Sequence, residues 1–134
     1  MKKKVRKLPA LKKSLDTVFS RYIRLKDRDE NGYVQCYTCE SVKPWKQMDA
    51  GHFQSRKYLA TRWNEDNVKP QCKRCNIFNS GEQYTFGKLL DLRIGEGKSD
   101  ELYKLARTTV KYMRCDYEEK IEYYKNKVNE LLDE

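Results

Sequence analysis

The chain has 134 residues, a length typical of one domain with a modest core. Hydrophobic residues make up 38% and charged residues 37%, so a bound metal would supplement a thin apolar interior. No apolar run approaches the roughly 20 residues that cross a bilayer, and the basic N-terminus lacks the apolar stretch of a signal peptide. We therefore expect a cytoplasmic protein, and the net charge of +9 suggests a polyanionic partner.

Two segments precede the central part of the chain. Residues 1–13 contain six lysines, Arg6 and no acidic residue, so we expect a flexible basic arm that either contacts phosphates or keeps the protein in solution. Residues 14–29 are predicted to form a helix, because apolar side chains recur there at helical spacing. This stripe consists of Leu15, Val18, Phe19, Tyr22 and Ile23. Asn31 and Gly32 then mark a turn before a short strand at residues 33–35.

Two C-x2-C pairs dominate the central part, residues 33–81. They are Cys36 with Cys39 and Cys72 with Cys75. The two residues inside each pair allow a tight knuckle that places both sulfurs on one metal, and four thiolates form the closed tetrahedral set of a structural zinc ion. The fifth cysteine, Cys115, is expected to be structural. This cysteine usage fits a reduced metal site better than a disulfide framework.

A second strand, predicted at residues 48–53, carries His52, the only histidine of the sequence. Gly51 directly before it permits a close backbone approach. By spacing alone, His52 is open to a structural role, a functional role or a fifth place among the zinc candidates, although the four cysteines already complete a tetrahedral site. An imidazole also suits a general base near neutral pH, as phosphodiester hydrolysis requires.

The loop after His52 mixes cations, an aromatic ring and amides, which suits phosphate contacts and stacking on bases or sugars but also occurs in ordinary polar loops. The candidate DNA-binding residues in this loop and at the second cysteine pair are Arg56, Lys57, Arg62, Lys73 and Arg74. Asn67 is expected to hold the loop by hydrogen bonds to the backbone. Residues 72–79 are predicted to begin a helix that places Asn76 directly after the last cysteine of the set.

Residues 82–134 are predicted to form a helical tail. A short packed helix is expected to end at the breaker of Gly95 and Gly97, and Ser99 is a plausible cap for a helix that continues without proline or glycine to the C-terminus. The packed residues of the short helix would be Tyr84, Phe86, Leu89, Leu90 and Leu92. An apolar stripe with spacings of four and three follows at Tyr117, Ile121, Tyr124, Val128 and Leu131. It predicts packing against the N-terminal helix or, alternatively, a homodimer seam.

These motifs together carry a resemblance. The order of C-x2-C, a Gly-His strand, a loop Asn and C-x2-C-Asn is similar to that of the HNH, or ββα-metal (His-Me finger), endonuclease superfamily with a four-cysteine zinc. More narrowly, residues 11–81, including residues 15–24 and 51–56, resemble the phage lambda NinG (Rap) recombination nuclease family. The resemblance implies one α+β domain, in which a small zinc-stabilised ββα-metal core is flanked by an N-terminal helix and C-terminal helices.

The resemblance also implies a role for individual residues. His52 matches the general base of the family, Asn67 matches the residue that orients the loop and the base, and Asn76 matches a ligand of the catalytic Mg²⁺ or Mn²⁺. Many HNH sequences have Asp directly before the base. Here Asp49 stands three residues before it, as in the Asp-x-Gly-His of non-specific ββα-metal nucleases, so Asp49 is a further candidate ligand and Glu82 a weaker one.

The function implied by the resemblance is a divalent-metal-dependent DNA endonuclease in the cytoplasm of the bacterial host. It would hydrolyse phosphodiester bonds in branched recombination intermediates, such as Holliday junctions or D-loops, and could work with recombination proteins. One alternative is a zinc-knuckle DNA-binding module without catalysis. Another is an HNH nuclease of the homing or restriction type, which would cut plain duplex at specific sequences.

Overall fold

The computed structural model of the chain describes residues 5–133. Within them the structure is mixed α+β, as the sequence predicts. The helices are α1 (Leu8–Leu25), α2 (Leu59–Arg62), α3 (Gln83–Arg93), α4 (Lys98–Ala106) and α5 (Arg114–Leu132). The strands are β1 (Tyr33–Gln35), β2 (Val42–Pro44), β3 (Asp49–His52) and β4 (Val68–Gln71). A 3₁₀ turn at Trp45–Gln47 precedes β3, and a π-helical turn at Arg74–Phe78 follows β4.

Helix α1 begins and ends earlier than predicted. Its first turn starts at Leu8, so residues 8–13 are helical and do not belong to a flexible arm, while residues 1–4 of the predicted arm lie outside the described residues. Proline is tolerated in the first turn of a helix, and the next apolar residue, Leu11, extends the buried stripe. The helix ends at Leu25 instead of residue 29, because the carboxylate of Asp29 accepts backbone hydrogen bonds and closes a turn.

Helix α5 packs along α1, and these two helices supply most of the buried residues of the first core cluster. The ring of Tyr124 meets that of Phe19 edge to face, with centroids 4.9 Å apart. Packing of the C-terminal stripe against the N-terminal helix is therefore confirmed. The buried residues of this first cluster are Leu11, Leu15, Phe19, Ile23, Trp63, Val68, Tyr117 and Tyr124.

The strands form two separate antiparallel hairpins. β1 pairs with β2, and β3 pairs with β4 in a register that sets Asp49 opposite Gln71 and His52 opposite Val68. The predicted strand at residues 33–35 is confirmed, and the strand predicted at residues 48–53 is observed at Asp49–His52. An isolated hairpin is marginally stable in water, so each depends on its packing. A second cluster, formed by Val34, Cys36, Met48, Cys72 and Cys75, joins the two hairpins.

The helical tail is interrupted where the sequence predicts continuity. Residues 107–113 between α4 and α5 are not helical, because Arg107 turns away to bond the side chain of Gln54, and Asp116 accepts a hydrogen bond from the backbone N–H of Met113 at 2.7 Å. The break at Gly95 and Gly97 is found as predicted.

Three details of the tail prediction are wrong. Ser99 does not cap α4: its backbone N–H and hydroxyl both donate to the carboxylate of Asp91, and Gly97 stands at the N-cap. Tyr84 and Leu92 are 78% and 80% exposed, because only one face of α3 meets the rest of the chain. That face forms a third core cluster with α4, whose buried residues are Phe86, Leu90 and Leu102.

Within residues 5–133, no helix combines the length and the apolar character needed to cross a membrane.

Candidate metal centre and active site

The four cysteines of the two C-x2-C pairs converge on one point. Their sulfur atoms all lie within 4.8 Å of one another, and the sulfurs of Cys39 and Cys72 are 3.6 Å apart. Sulfurs that share a tetrahedral zinc ion at about 2.3 Å are separated by about 3.8 Å. The donor set and its spacing therefore fit zinc.

Backbone hydrogen bonds build both knuckles. The N–H of Cys36 donates to the carbonyl of Ser41 at 2.7 Å, and the N–H of Glu40 donates to the carbonyl of Cys36 at 3.0 Å. After the second pair, the N–H of Asn76 donates to the carbonyl of Cys72 at 2.9 Å. These hydrogen bonds close the turns that carry the four cysteines.

The thiols differ in their readiness to ionise. Burial opposes ionisation of Cys39, but hydrogen bonds from the side chain and backbone of Ser41 outweigh it and lower the pKa of Cys39 to about 6. Burial, together with the neighbouring sulfurs, raises the pKa of Cys75 to about 12. Four thiolates at neutral pH therefore require a cation among them, which a divalent metal supplies.

A polar cleft of about 380 Å³ lies beside this centre. It is bounded by α1, the 3₁₀ turn, β3 and the start of the π-helical turn. Its ionisable side chains are Asp16, Arg24, Lys46, Asp49, His52, Arg56 and Lys73. His52 and Asp49, two of the predicted site residues, thus share one cavity with four cations.

His52 ends β3 and is held in one tautomer. Its Nε2 lies 2.9 Å from the backbone carbonyl oxygen of Arg62. Because a carbonyl can only accept, Nε2 must carry the proton, and the neutral ring keeps its lone pair on Nδ1. Burial lowers the pKa of His52, and nearby Arg56 acts in the same direction, whereas the Arg62 carbonyl and Asp16 oppose them. His52 is therefore neutral at pH 7.

Asp16 of α1 is the residue that fixes this arrangement, and the sequence analysis missed it. Its carboxylate accepts hydrogen bonds from Arg62 Nε at 3.1 Å and Nη2 at 2.6 Å, from Trp63 Nε1 at 3.0 Å and from Arg56 Nη2 at 2.8 Å. Burial would raise the pKa of Asp16, but the guanidinium groups of Arg62 and Arg56 hold it below its usual value. The available signal was that Asp16 is the only acidic residue among the first 26.

The carboxylate of Asp49 contacts the side chains of both Asn76 and Lys73. Asn76 Nδ2 donates to Asp49 Oδ2 at 3.0 Å, and the ammonium group of Lys73 lies 2.7 Å from Asp49 Oδ1. The amide oxygen of Asn76 and the carboxylate of Asp49 thus stand together as the oxygen donors that hard divalent cations prefer. Glu82 stands at the N-cap of α3 and does not line the cleft.

Asn67 holds the loop between β3 and β4, as predicted. It is fully buried, its amide oxygen accepts the backbone N–H of Gln54 at 2.7 Å, and its amide nitrogen donates to the carbonyls of Gln54 and Thr61 at 3.0 Å each. The buried side chain of Asn67 therefore fixes the loop whose Arg62 carbonyl accepts the hydrogen bond from His52.

The predicted DNA-binding residues have different surroundings. Arg62 has a side chain only 18% exposed and is engaged by Asp16, so its guanidinium serves to fix the loop. Lys57 is exposed, with its ammonium 4.9 Å from the ring of Tyr58. Arg74 is exposed beside the sulfur of Cys39, and that sulfur raises the pKa of the Arg74 guanidinium. Arg56 and Lys73 line the cleft, where they pair with Asp16 and Asp49.

Gly51 allows the close approach that the sequence predicts, although a side chain makes it. A Cβ at this position would lie 1.9 Å from Gln71 Oε1. The buried amide of Gln71 crosses Gly51 to donate to the carbonyl of Gly81 at 2.9 Å and to the hydroxyl of Thr38 at 3.1 Å. The absence of a side chain at Gly51 thus allows Gln71 of β4 to hydrogen-bond both Thr38, in the first cysteine knuckle, and Gly81, after the second knuckle.

The fold and the site define a small α+β protein with a four-cysteine cluster that could hold zinc. The model of the family described as "NinG: Bacteriophage Lambda NinG protein" matches residues 1–134, the whole chain. The chain therefore belongs to the NinG family, and that part of the resemblance is confirmed.

Individual phage proteins are similar along most of the chain. It is 31% identical over 142 residues to Protein ninG of Escherichia phage lambda, covering 96% of this chain and 67% of that protein. It is 32% identical over 133 residues to Protein ninG of Salmonella phage P22, covering 90% of this chain and 63% of that protein. The chain thus spans about two thirds of the length of these relatives. No solved structure matches the chain.

Proposed function

We propose that this protein is a divalent-metal-dependent DNA endonuclease of the HNH type. The observation that carries the proposal is His52, a neutral imidazole whose Nε2–H is occupied and whose Nδ1 keeps its lone pair, in a cleft lined by four cations. The hairpin of β3 and β4, followed by a short helical turn that carries Asn76, supports a ββα-metal core.

In the proposed reaction, His52 removes a proton from the water that attacks phosphorus, the bond from phosphorus to the leaving sugar oxygen breaks, and that oxygen takes a proton from solvent. The carbonyl of Arg62 holds the imidazole in the required tautomer, and Asp16 holds Arg62. Arg56 and Lys73 at the rim of the cleft supply positive charge for the phosphate.

The proposal includes two metals with separate tasks. Asn76 and Asp49 would hold a catalytic Mg²⁺ or Mn²⁺, which would supply a Lewis acid for the scissile phosphate. Zinc in the four-cysteine cluster would be structural, because four thiolates leave no open position for water.

The substrate that we propose is branched DNA formed in phage recombination, such as a Holliday junction or a D-loop. Membership of the NinG family and the resemblance described above support this choice. The cytoplasm of the bacterial host would be the site of action, and recombination proteins or a second copy of the chain are the proposed partners.

The test compares cleavage of labelled four-way junction, flap and linear duplex DNA, with magnesium or with EDTA. His52→Ala should reduce cleavage by about 10² to 10⁴-fold while DNA binding is retained, because only the base is lost. His52→Gln is the matched control for structure: it keeps a donor for the Arg62 carbonyl but lacks the base, so it should also be inactive. Cleavage at the normal rate by either variant would reject His52 as the base.

The same assay separates the two alternative functions. Binding by the wild-type protein without cleavage in magnesium or manganese would identify a zinc-knuckle DNA-binding module. Cutting of the linear duplex at a fixed sequence, with no preference for junctions, would identify a nuclease of the homing or restriction type.

A further inference from the structure

The carboxylates of the cleft are already neutralised by cations of the same cleft. Asp16 pairs with Arg56 at 2.8 Å, and Asp49 pairs with Lys73 at 2.7 Å. These carboxylates compete with a ligand for the cations that they engage. The cations of the cleft without such a partner are therefore the first candidates to hold a further phosphate.

Arg24 and Lys46 are those side chains. Both line the cleft, Arg24 from α1 and Lys46 from the 3₁₀ turn. Among residues 5–133, neither has an ion-pair partner within 4.0 Å. The unpaired positive charge of the cleft is thus concentrated on these two residues, on the side formed by α1 and the turn.

The guanidinium of Arg24 is held in place by neutral groups. Its Nε donates to the carbonyl and to the hydroxyl of Ser20, each at 3.1 Å. Its central carbon lies 5.2 Å from the ring centroid of Trp45, and the ammonium of Lys46 lies 5.8 Å from the same ring. An arginine has five N–H donors, so anchoring through Nε leaves the terminal donors for a bidentate bond to an anion.

The burial of Arg24 distinguishes it from an ordinary solvated cation. Burial lowers the pKa of the Arg24 guanidinium, although Asp49 opposes this effect. A half-buried charge without a paired anion is costly, and a bound phosphate would offset that cost. Arg21, three residues earlier on the same helix, is exposed and lies outside the cleft.

We propose that Arg24 and Lys46 bind a second backbone phosphate of the nucleic acid strand in the cleft, beside the phosphate that His52 would attack. This inference deepens the proposed nuclease function and rests on it for the identity of the ligand. It makes α1 one wall of the DNA site, in addition to the loop and the second cysteine pair. The fork of Arg24 would fix the phosphate, and Lys46 would add a point charge.

The experiment measures binding of a fluorescent four-way junction and of linear duplex DNA by anisotropy, over a series of salt concentrations and without added divalent ions. Arg24→Gln should weaken binding about 3- to 10-fold and reduce the salt slope by about one released ion. Lys46→Gln should act in the same direction. Arg21→Gln, which removes the same charge from the same helix outside the cleft, should change the affinity by less than about twofold.

Equal losses in Arg24→Gln and Arg21→Gln would overturn the inference, since general attraction to a basic helix would then explain both. If Arg24→Gln fails to fold, Lys46→Gln decides, because Lys46 is exposed and its substitution leaves the core intact. Binding without divalent ions is independent of cleavage. Absence of cleavage by the wild-type protein would therefore end the nuclease proposal while the comparison of Arg24 with Arg21 still stands.

Discussion

At the scale of single residues, Asp16 acts on His52 in two ways. Through Arg62 it fixes the carbonyl that accepts the Nε2–H of His52, and through its charge it opposes the lowering of the His52 pKa by burial. Neither effect is visible in the local sequence, because Asp16 and His52 are 36 positions apart. The relation between Asp16 and His52 becomes apparent only in the folded protein, where α1 packs against β3.

We expect Asp16→Asn to lower the pKa of His52 and to reduce kcat. Removing the negative charge makes protonation of His52 less favourable, so the acidic limb of the pH profile of kcat/KM should move to lower pH. Arg62 would also lose its charged partner, at a cost of about 1–3 kcal/mol in the free energy of unfolding. Because His52 is the only histidine, NMR titration of its ring protons measures its pKa directly.

The matched control for this prediction is Asp100→Asn on α4, where the carboxylate is exposed and pairs with exposed Lys104. It should leave both the pH profile and the stability unchanged. A purely structural role for Asp16 would reduce stability without moving the His52 titration, and that result would contradict the prediction.

At the scale of elements, local pattern predicts well where a segment forms its own structure. The stripe of α1, the strand at Tyr33–Gln35 and the glycine break before α4 each depend on neighbours in sequence, and each is found. The break between α4 and α5 was missed because it depends on distant partners. Arg107 bonds Gln54 Oε1 at 3.0 Å and the hydroxyl of Tyr58 at 3.1 Å, contacts that no local pattern reveals.

The packing of α5 on the first cluster makes Tyr117 the side chain with the largest expected effect. It is 1% exposed, and its ring meets those of Trp63 and Tyr112 edge to face at 5.6 and 5.7 Å. Tyr117→Ala should lower the free energy of unfolding by about 3–5 kcal/mol, because it leaves a cavity of aromatic size. Urea denaturation followed by circular dichroism provides the measurement.

Tyr123 offers the control on the same helix, since it is 51% exposed. Tyr123→Ala should change the free energy of unfolding by less than about 0.5 kcal/mol. Similar losses in the two variants would show that Tyr117 is not the buried anchor of α5 in the first cluster.

At the scale of the whole molecule, the first cluster is built from apolar rings and aliphatic chains, whereas the second consists largely of cysteine sulfurs. Spacing alone predicted which four cysteines meet, because C-x2-C fixes each pair locally and the shared metal joins the pairs. The oxygen site at Asp49 and Asn76 was less predictable, since it depends on how the π-helical turn lies against β3.

Because the cysteines lie in the second cluster and not in the first, we expect zinc to stabilise the two hairpins more than it stabilises the packing of α1 against α5. Cys72→Ser should bind less than the one zinc ion per chain expected for the wild-type protein, and it should lose DNA cleavage and thermal stability. Far-UV circular dichroism should still report helix, because the contacts between α1 and α5 contain no metal ligand. Elemental analysis and thermal melts measure these effects.

The control is Cys115→Ser, which makes the same chemical change at an exposed residue of α5 outside the cysteine cluster. The exposed position of Cys115 gives no support to the expectation that this residue is structural. Zinc content, melting temperature and cleavage should all match those of the wild-type protein. If Cys72→Ser also retained one zinc ion and its full melting temperature, the cluster would not be the zinc site, and cohesion of the hairpins would have to come from the few apolar contacts of Val34 and Met48.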